Sequence, residues 1–201
     1  MPTDFRALIA DLVEREARPV DKFGHQPRLY ALTRDIGEGQ SYDDDIVYAA
    51  AWLHDLGVFI GNRPDDPRLL HDWDHVKYAC ERTAIILTET GFPAEKIPAV
   101  LDAIRAHQPQ DDPQTIEATI LRDADILEQL GAIGILRAVC KVGRDTRYHR
   151  FSDIVPVLKK ALATLPSLLR LERSRELAVA KIRVLSAFLE AVDAEASGAL
   201  F

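Results

Sequence analysis

The chain has 201 residues, 47% of them hydrophobic, enough to bury one core, and no linker rich in Pro, Gly or Ser and no block of charge marks a second domain. A formal charge of -7 and a pI near 5.4 argue against a broad basic face for nucleic acid, because neutralising phosphates supplies most non-specific affinity. A small anionic substrate, which needs only a local cationic pocket, stays compatible with that balance.

Apolar residues recur at three- and four-residue steps almost throughout, and sustained strict alternation is absent, which predicts an all-α fold. A first helix is expected over about 3–17, with Leu8, Ile9, Leu12 and Val13 on one face and the Pro19 segment ending it. This opening stretch is charged and amphipathic rather than a signal peptide, and no apolar run approaches membrane-spanning length, so a cytoplasmic address and no membrane partner are expected. A second helix covers about 23–36, with His25 near its start and Gly37 and Gly39 at its end. Ser41 with Asp44 three positions on reads as a capping-box-like start for a third helix that ends at Gly57 and carries His54-Asp55 in its last turn.

The stretch GNRPDDPRLLHDWD (61–74) has two prolines and several turn formers, and reads as a lid-like loop over the site. A helix over about 73–90 stops at Gly91, and another runs from Pro93 to His107. Beyond a loop framed by Pro109 and Pro113 come helices over about 114–129, 135–141, 152–164 and 167–196, with Pro166 at the last joint. Together these make a single-domain helical bundle over 1–201. Cys80 and Cys140 sit in apolar stretches without Cys-x-x-Cys spacing, which suits buried thiols in a reducing cytosol.

The doublet His54-Asp55 closes the apolar run IVYAAAWLHDLG, with His25 upstream and His75, His107 and Asp125 downstream. Imidazole and carboxylate are ligands favoured by Zn, Mn, Fe and Ni, and irregular spacing suits a site drawn from several helices, so the expectation is a metal site in the bundle core. His71 lies four residues before His75, and either or both could serve. His107, just before Gln108-Pro109, also suits a plain helix-end residue bonded to carbonyls. The densest cationic run is Arg137, Lys141, Arg144, Arg147 and Arg150, interrupted by Asp145; it could grip phosphate or simply be a solvated face. Tyr148 and His149 share that run. Arg28, three residues after His25, should share its face and meet either substrate phosphate or an acid.

Four stretches in order, HQPRLYAL, AAAWLHDLG, DHVKYACERTAIIL and LRDADILEQLGAIGILRA, resemble the motifs of the HD-domain superfamily of metal-dependent phosphohydrolases across about residues 20–140, with the helices over 152–196 packing on that core. The resemblance implies a first ion held by His25, His54, Asp55 and Asp125, and room for a second on Asp55, His75 and His107. By the same resemblance the second Asp of the DAD word, Asp125, is the ligand, and Asp123 either orients a ligating His or is a helix-surface charge paired with Arg122 or Lys141. The cofactor implied is a divalent transition metal (Mn, Ni, Co, Fe or Zn) or Mg. The reaction implied is hydrolysis of a small phosphate ester or anhydride, foremost a nucleotide, by a metal-activated water, with His54 and Asp55 at the catalytic centre. Substrate-binding candidates are Arg28, Arg137, Lys141, Arg144 and Arg147.

The doublet continues as HDLGVFI, without the Lys of the HD-G-K versions or the catalytic Glu of one nucleotidase branch, so neither branch lends its substrate. No Gly-rich phosphate loop, Ser nucleophile elbow or Cys-His nucleophile signature is present. Two alternatives stay open: a mixed-valence di-iron oxygenase of the same superfamily, and a non-catalytic nucleotide-binding module.

Overall fold

Asp4, Asp43, Asp66 and Asp74 each accept a backbone N–H at the start of a helix, opening α1 (Phe5–Glu16), α3 (Asp44–Leu53), α4 (Pro67–His71) and α5 (His75–Glu89). The remaining helices are α2 (His25–Ile36), α6 (Ile97–Arg105), α7 (Ile116–Glu128), α8 (Gly131–Val139), α9 (Ile154–Thr164) and α10 (Glu172–Ala196). The structure, a computed structural model, describes residues 4–19, 23–144 and 147–200. Residue 3, the expected start of the first helix, and Asp145 lie outside them. Among the described residues the fold is all-α, with an isolated bridge between Ile60 and Arg63 and no strand, and no helix is long and apolar enough to cross a membrane.

The chain falls into two units, Met1–Arg122 and Asp123–Phe201. In the first, α3 packs against α1, α2 and α6, while α5 packs against α6 and the 3-10 turn Leu56–Val58. Every residue of α3 from Ile46 to Leu53 is buried, as expected of a helix apolar on all sides. Its acidic start is held by cations from two neighbours. Arg6 lies 2.9 Å from Asp44 and 2.7 Å from Asp45, and Lys96 lies 2.8 Å from Asp43 and 2.9 Å from Asp45. Tyr48, one turn on, donates its hydroxyl to the Arg6 carbonyl at 2.7 Å and lies beneath the Arg6 guanidinium, 4.7 Å from its carbon.

In the second unit, α10 packs on α8 and α9. The buried Asp123 carboxylate accepts the backbone N–H groups of Arg170 (3.0 Å) and Leu171 (2.9 Å), where α10 begins. Gly131 adopts φ +68°, and a Cβ there would meet Lys181 at 3.1 Å, so α8 approaches α10 at backbone range.

Several boundaries differ from expectation. Asp43 rather than Ser41 caps α3, because its carboxylate is the one that reaches the Asp45 N–H, at 3.0 Å. The helix stops at Leu53, so the doublet follows it instead of lying in its last turn. The stretch 61–74 includes α4, started by Asp66 and a Pro in its first turn. The extended backbone of Leu130 lets α8 begin at Gly131, and Leu165–Leu168 forms a separate 3-10 turn before α10. Cys80 is buried as expected, whereas Cys140, just past the end of α8, is exposed.

Candidate metal centre

Two histidines leave the C-terminal ends of α3 and α6 in the same way. His54 follows α3 and its Nδ1 lies 3.0 Å from the Ala51 carbonyl; His107 follows α6 and its Nδ1 lies 2.6 Å from the Ile104 carbonyl. A carbonyl only accepts, so each Nδ1 donates a ring proton there, which turns Nε2 toward the interior. His107 is thus both a helix-end residue and a ligand-competent one. Asp55, next to His54, has φ -99° and ψ 11°, the bridge region between helix and strand, and this turns its carboxylate away from the helical path.

The ring of His25, at the first position of α2, meets this pair. Its Nε2 lies 3.4 Å from His54 Nε2 and 3.7 Å from Asp55 Oδ2, and His54 Nε2 lies 3.6 Å from Asp55 Oδ1. Donor atoms of His54, Asp55 and His107 also lie within 4.8 Å of one another. The three imidazoles are 4%, 1% and 3% exposed for His25, His54 and His107, so their nitrogens face each other with little water. Ligands placed about 2.1 Å from one tetrahedral ion stand roughly 3.4 Å apart, which is the spacing found. A divalent cation fits both the spacing and the chemistry of the donors.

His75 reaches the edge of this group, its ring centroid 6.3 Å from that of His107. Gly57 makes that approach possible, since a Cβ there would stand 2.3 Å from the His75 carbonyl oxygen. Trp73 Nε1 donates to the Gly57 carbonyl at 2.8 Å and Asn62 Nδ2 to the Leu56 carbonyl at 2.9 Å, tying both ends of the intervening segment to the turn that follows the doublet. His71 points elsewhere: its side chain is 86% exposed and bonds Asp72 at 2.8 Å.

The other candidates are placed as follows. Arg28 is exposed where His25 is buried, so the three-residue step puts them in different surroundings. In the second unit, Asp125 accepts from Gln129 at 3.2 Å, and Arg137 lies 3.9 Å from Asp125 and 3.5 Å from Glu128. Both Asp123 oxygens accept from the start of α10. Lys141 is partly exposed, Arg144 and Arg147 are exposed, and Arg147 lies 5.3 Å over the Tyr148 ring.

Two further residues carry no sequence signal beyond their neighbours. Gln108 places its side-chain nitrogen 3.2 Å from His75 Nε2. Arg122, 2% exposed, donates from Nε to the Gln108 carbonyl at 3.2 Å and from its terminal nitrogen to the Pro109 carbonyl, fixing the chain just after His107. Only the adjacency of Gln108 to His107 could have pointed to it.

A family model described as HD domain matches residues 23–130. Among solved structures, the Lin1889 protein of Listeria innocua aligns at 19% identity and TM-score 0.73, with 98% of each chain covered. Bacillus subtilis YpgQ, solved in complex with ADP, aligns at 22% identity and TM-score 0.71 over 94% of this chain and 97% of its own. An HD-superfamily hydrolase of Bacillus thuringiensis aligns at 20% identity and TM-score 0.69, with 96% of each chain covered. No curated protein matches the chain. At these identities the likeness to solved structures shows the fold.

Proposed function

The chain belongs to the HD-domain family, and on that footing we propose that it is a metal-dependent phosphohydrolase acting on a small phosphate ester or anhydride, a nucleotide first among them. The observation that carries the reading is the approach of His25 Nε2, His54 Nε2 and both Asp55 oxygens within 3.7 Å, with the His54 proton committed to a carbonyl. The proposed ligands are His25, His54 and Asp55, joined by Asp125 on the strength of the DAD word, with His75 and His107 offered to a second ion. A divalent cation held there would supply Lewis acidity and would lower the pKa of a water.

The protein's own part is to place and isolate that chemistry. The Ala51 carbonyl holds the His54 ring in one tautomer and orientation, and the Ile104 carbonyl does the same for His107. Asp55, with a side chain 15% exposed, is the most accessible donor of the His25, His54 and Asp55 group. Arg28, Arg137, Lys141, Arg144 and Arg147 are the proposed phosphate contacts. Support for a nucleotide comes from YpgQ, solved with ADP.

Phosphate release from nucleoside mono-, di- and triphosphates with Mn, Co, Ni or Mg tests the proposal. His54→Ala and Asp55→Ala should each lower turnover by at least about 100-fold, and unchanged turnover in either overturns it. A di-iron oxygenase is the second reading, favoured by the place of Asp55 beside both His25 and the His54–His107 pair. Iron content with O2 uptake, and no phosphate release, would decide for it.

A further inference from the structure

We propose that Gln108 is a latch on His75, its side-chain amide holding the ring nitrogen that a second cation would need. The proposal rests on the reading of this site as a cation centre. Gln110 Nε2 donates to Gln108 Oε1, which leaves the Gln108 amide nitrogen as the atom facing His75 Nε2 at 3.2 Å. An amide N–H only donates, so His75 Nε2 accepts with its lone pair. That lone pair is the one a metal would take.

The consequence is visible in the donor geometry. His54, Asp55 and His107 close to within 4.8 Å of one another, but among the described residues His75 joins no such group, although its ring centroid is 6.3 Å from that of His107. The main chain on both sides of the latch is fixed. The His75 carbonyl abuts Gly57, the Gln108 N–H donates to Asp111 at 2.9 Å, and the Gln108 carbonyl is held by Arg122. Release therefore needs only rotation of side chains. A second ion must displace the amide, so it binds more weakly than the first, and occupancy of the second position follows metal concentration.

Calorimetric titration of Mn into the full-length protein, first stripped with chelator, tests the latch. One tight event and one weaker event are expected, and His75→Ala should abolish the weaker. Gln108→Leu should tighten the second event by about three- to tenfold, the worth of one amide hydrogen bond, while the first changes by less than about twofold. Gln110→Ala, at an exposed position, should tighten it by a smaller factor and keeps the test open should Gln108→Leu fold poorly. A second event unchanged or weakened in both variants overturns the latch and leaves the cation centre standing. Absence of any event with Mn, Co or Ni in the unaltered protein overturns the centre and the latch together.

Discussion

Nε2 of His25 and Nε2 of His54 face each other at 3.4 Å, on rings 4% and 1% exposed, with the Asp55 carboxylate beside both. Nitrogens at this spacing, with a carboxylate beside them, are competent to hold one cation. His25→Ala should weaken Mn binding on the order of 100-fold by calorimetry and remove most of the rise in melting temperature that saturating Mn gives, since a ligand stabilises only in proportion to its binding. An unchanged Mn-dependent shift would remove His25 from the site.

Gly57 and His75 are in backbone contact. Gly57→Ala would put a methyl group 2.3 Å from the His75 carbonyl oxygen, and that atom cannot swing aside as a side chain can. A loss of about 1–3 kcal/mol is expected, read as a lower midpoint in urea unfolding. An unaltered midpoint would mean that the start of α5 moves freely.

Arg122 holds two consecutive carbonyls, those of Gln108 and Pro109, from a buried position. Arg122→Ala leaves both acceptors without it and should cost about 2–3 kcal/mol, again by urea unfolding. Because the chain it fixes begins at His107, the variant should also show weaker metal binding than Arg122→Lys, which keeps a charged donor.

The helices were legible from apolar spacing, and so were the histidines that gather, because three- and four-residue periods and ligand chemistry are local properties. The rest depends on contacts between distant residues. Ser41 and Asp43 are equally good caps on paper; the choice falls on the carboxylate that reaches the Asp45 N–H while also meeting Lys96, 53 positions away. His71 and His75 have the same chemistry; the family word DHVKYA favours His75, and the contact of Gly57 with the start of α5 is the physical difference between them. Gln108 has no pattern of its own, and its importance comes from a ring 33 positions earlier in the chain.

Tyr48 gives a prediction in alkali. Burial, foremost, raises its hydroxyl from 10.0 to about 12. The folded chain then keeps a proton that the unfolded chain releases above pH 10, so this contribution to stability is whole below pH 10 and is lost as pH climbs to about 12. Tyr48→Phe should be about 1 kcal/mol less stable at pH 7, having lost the bond to the Arg6 carbonyl, yet should decline less steeply between pH 10 and pH 12. Urea midpoints across that range would show it; parallel slopes for the two proteins would exclude it.

Because the eight residues leading up to the doublet are enclosed on every side, that helix has no face on which change is free. Any 100° turn about its axis exchanges one packed surface for another and gains nothing from water. Variation in which molecules the protein accepts must therefore be written around this spindle rather than in it. Libraries aimed at new substrates should leave 46–53 untouched and concentrate on 61–66 and 68–74, where side chains reach solvent.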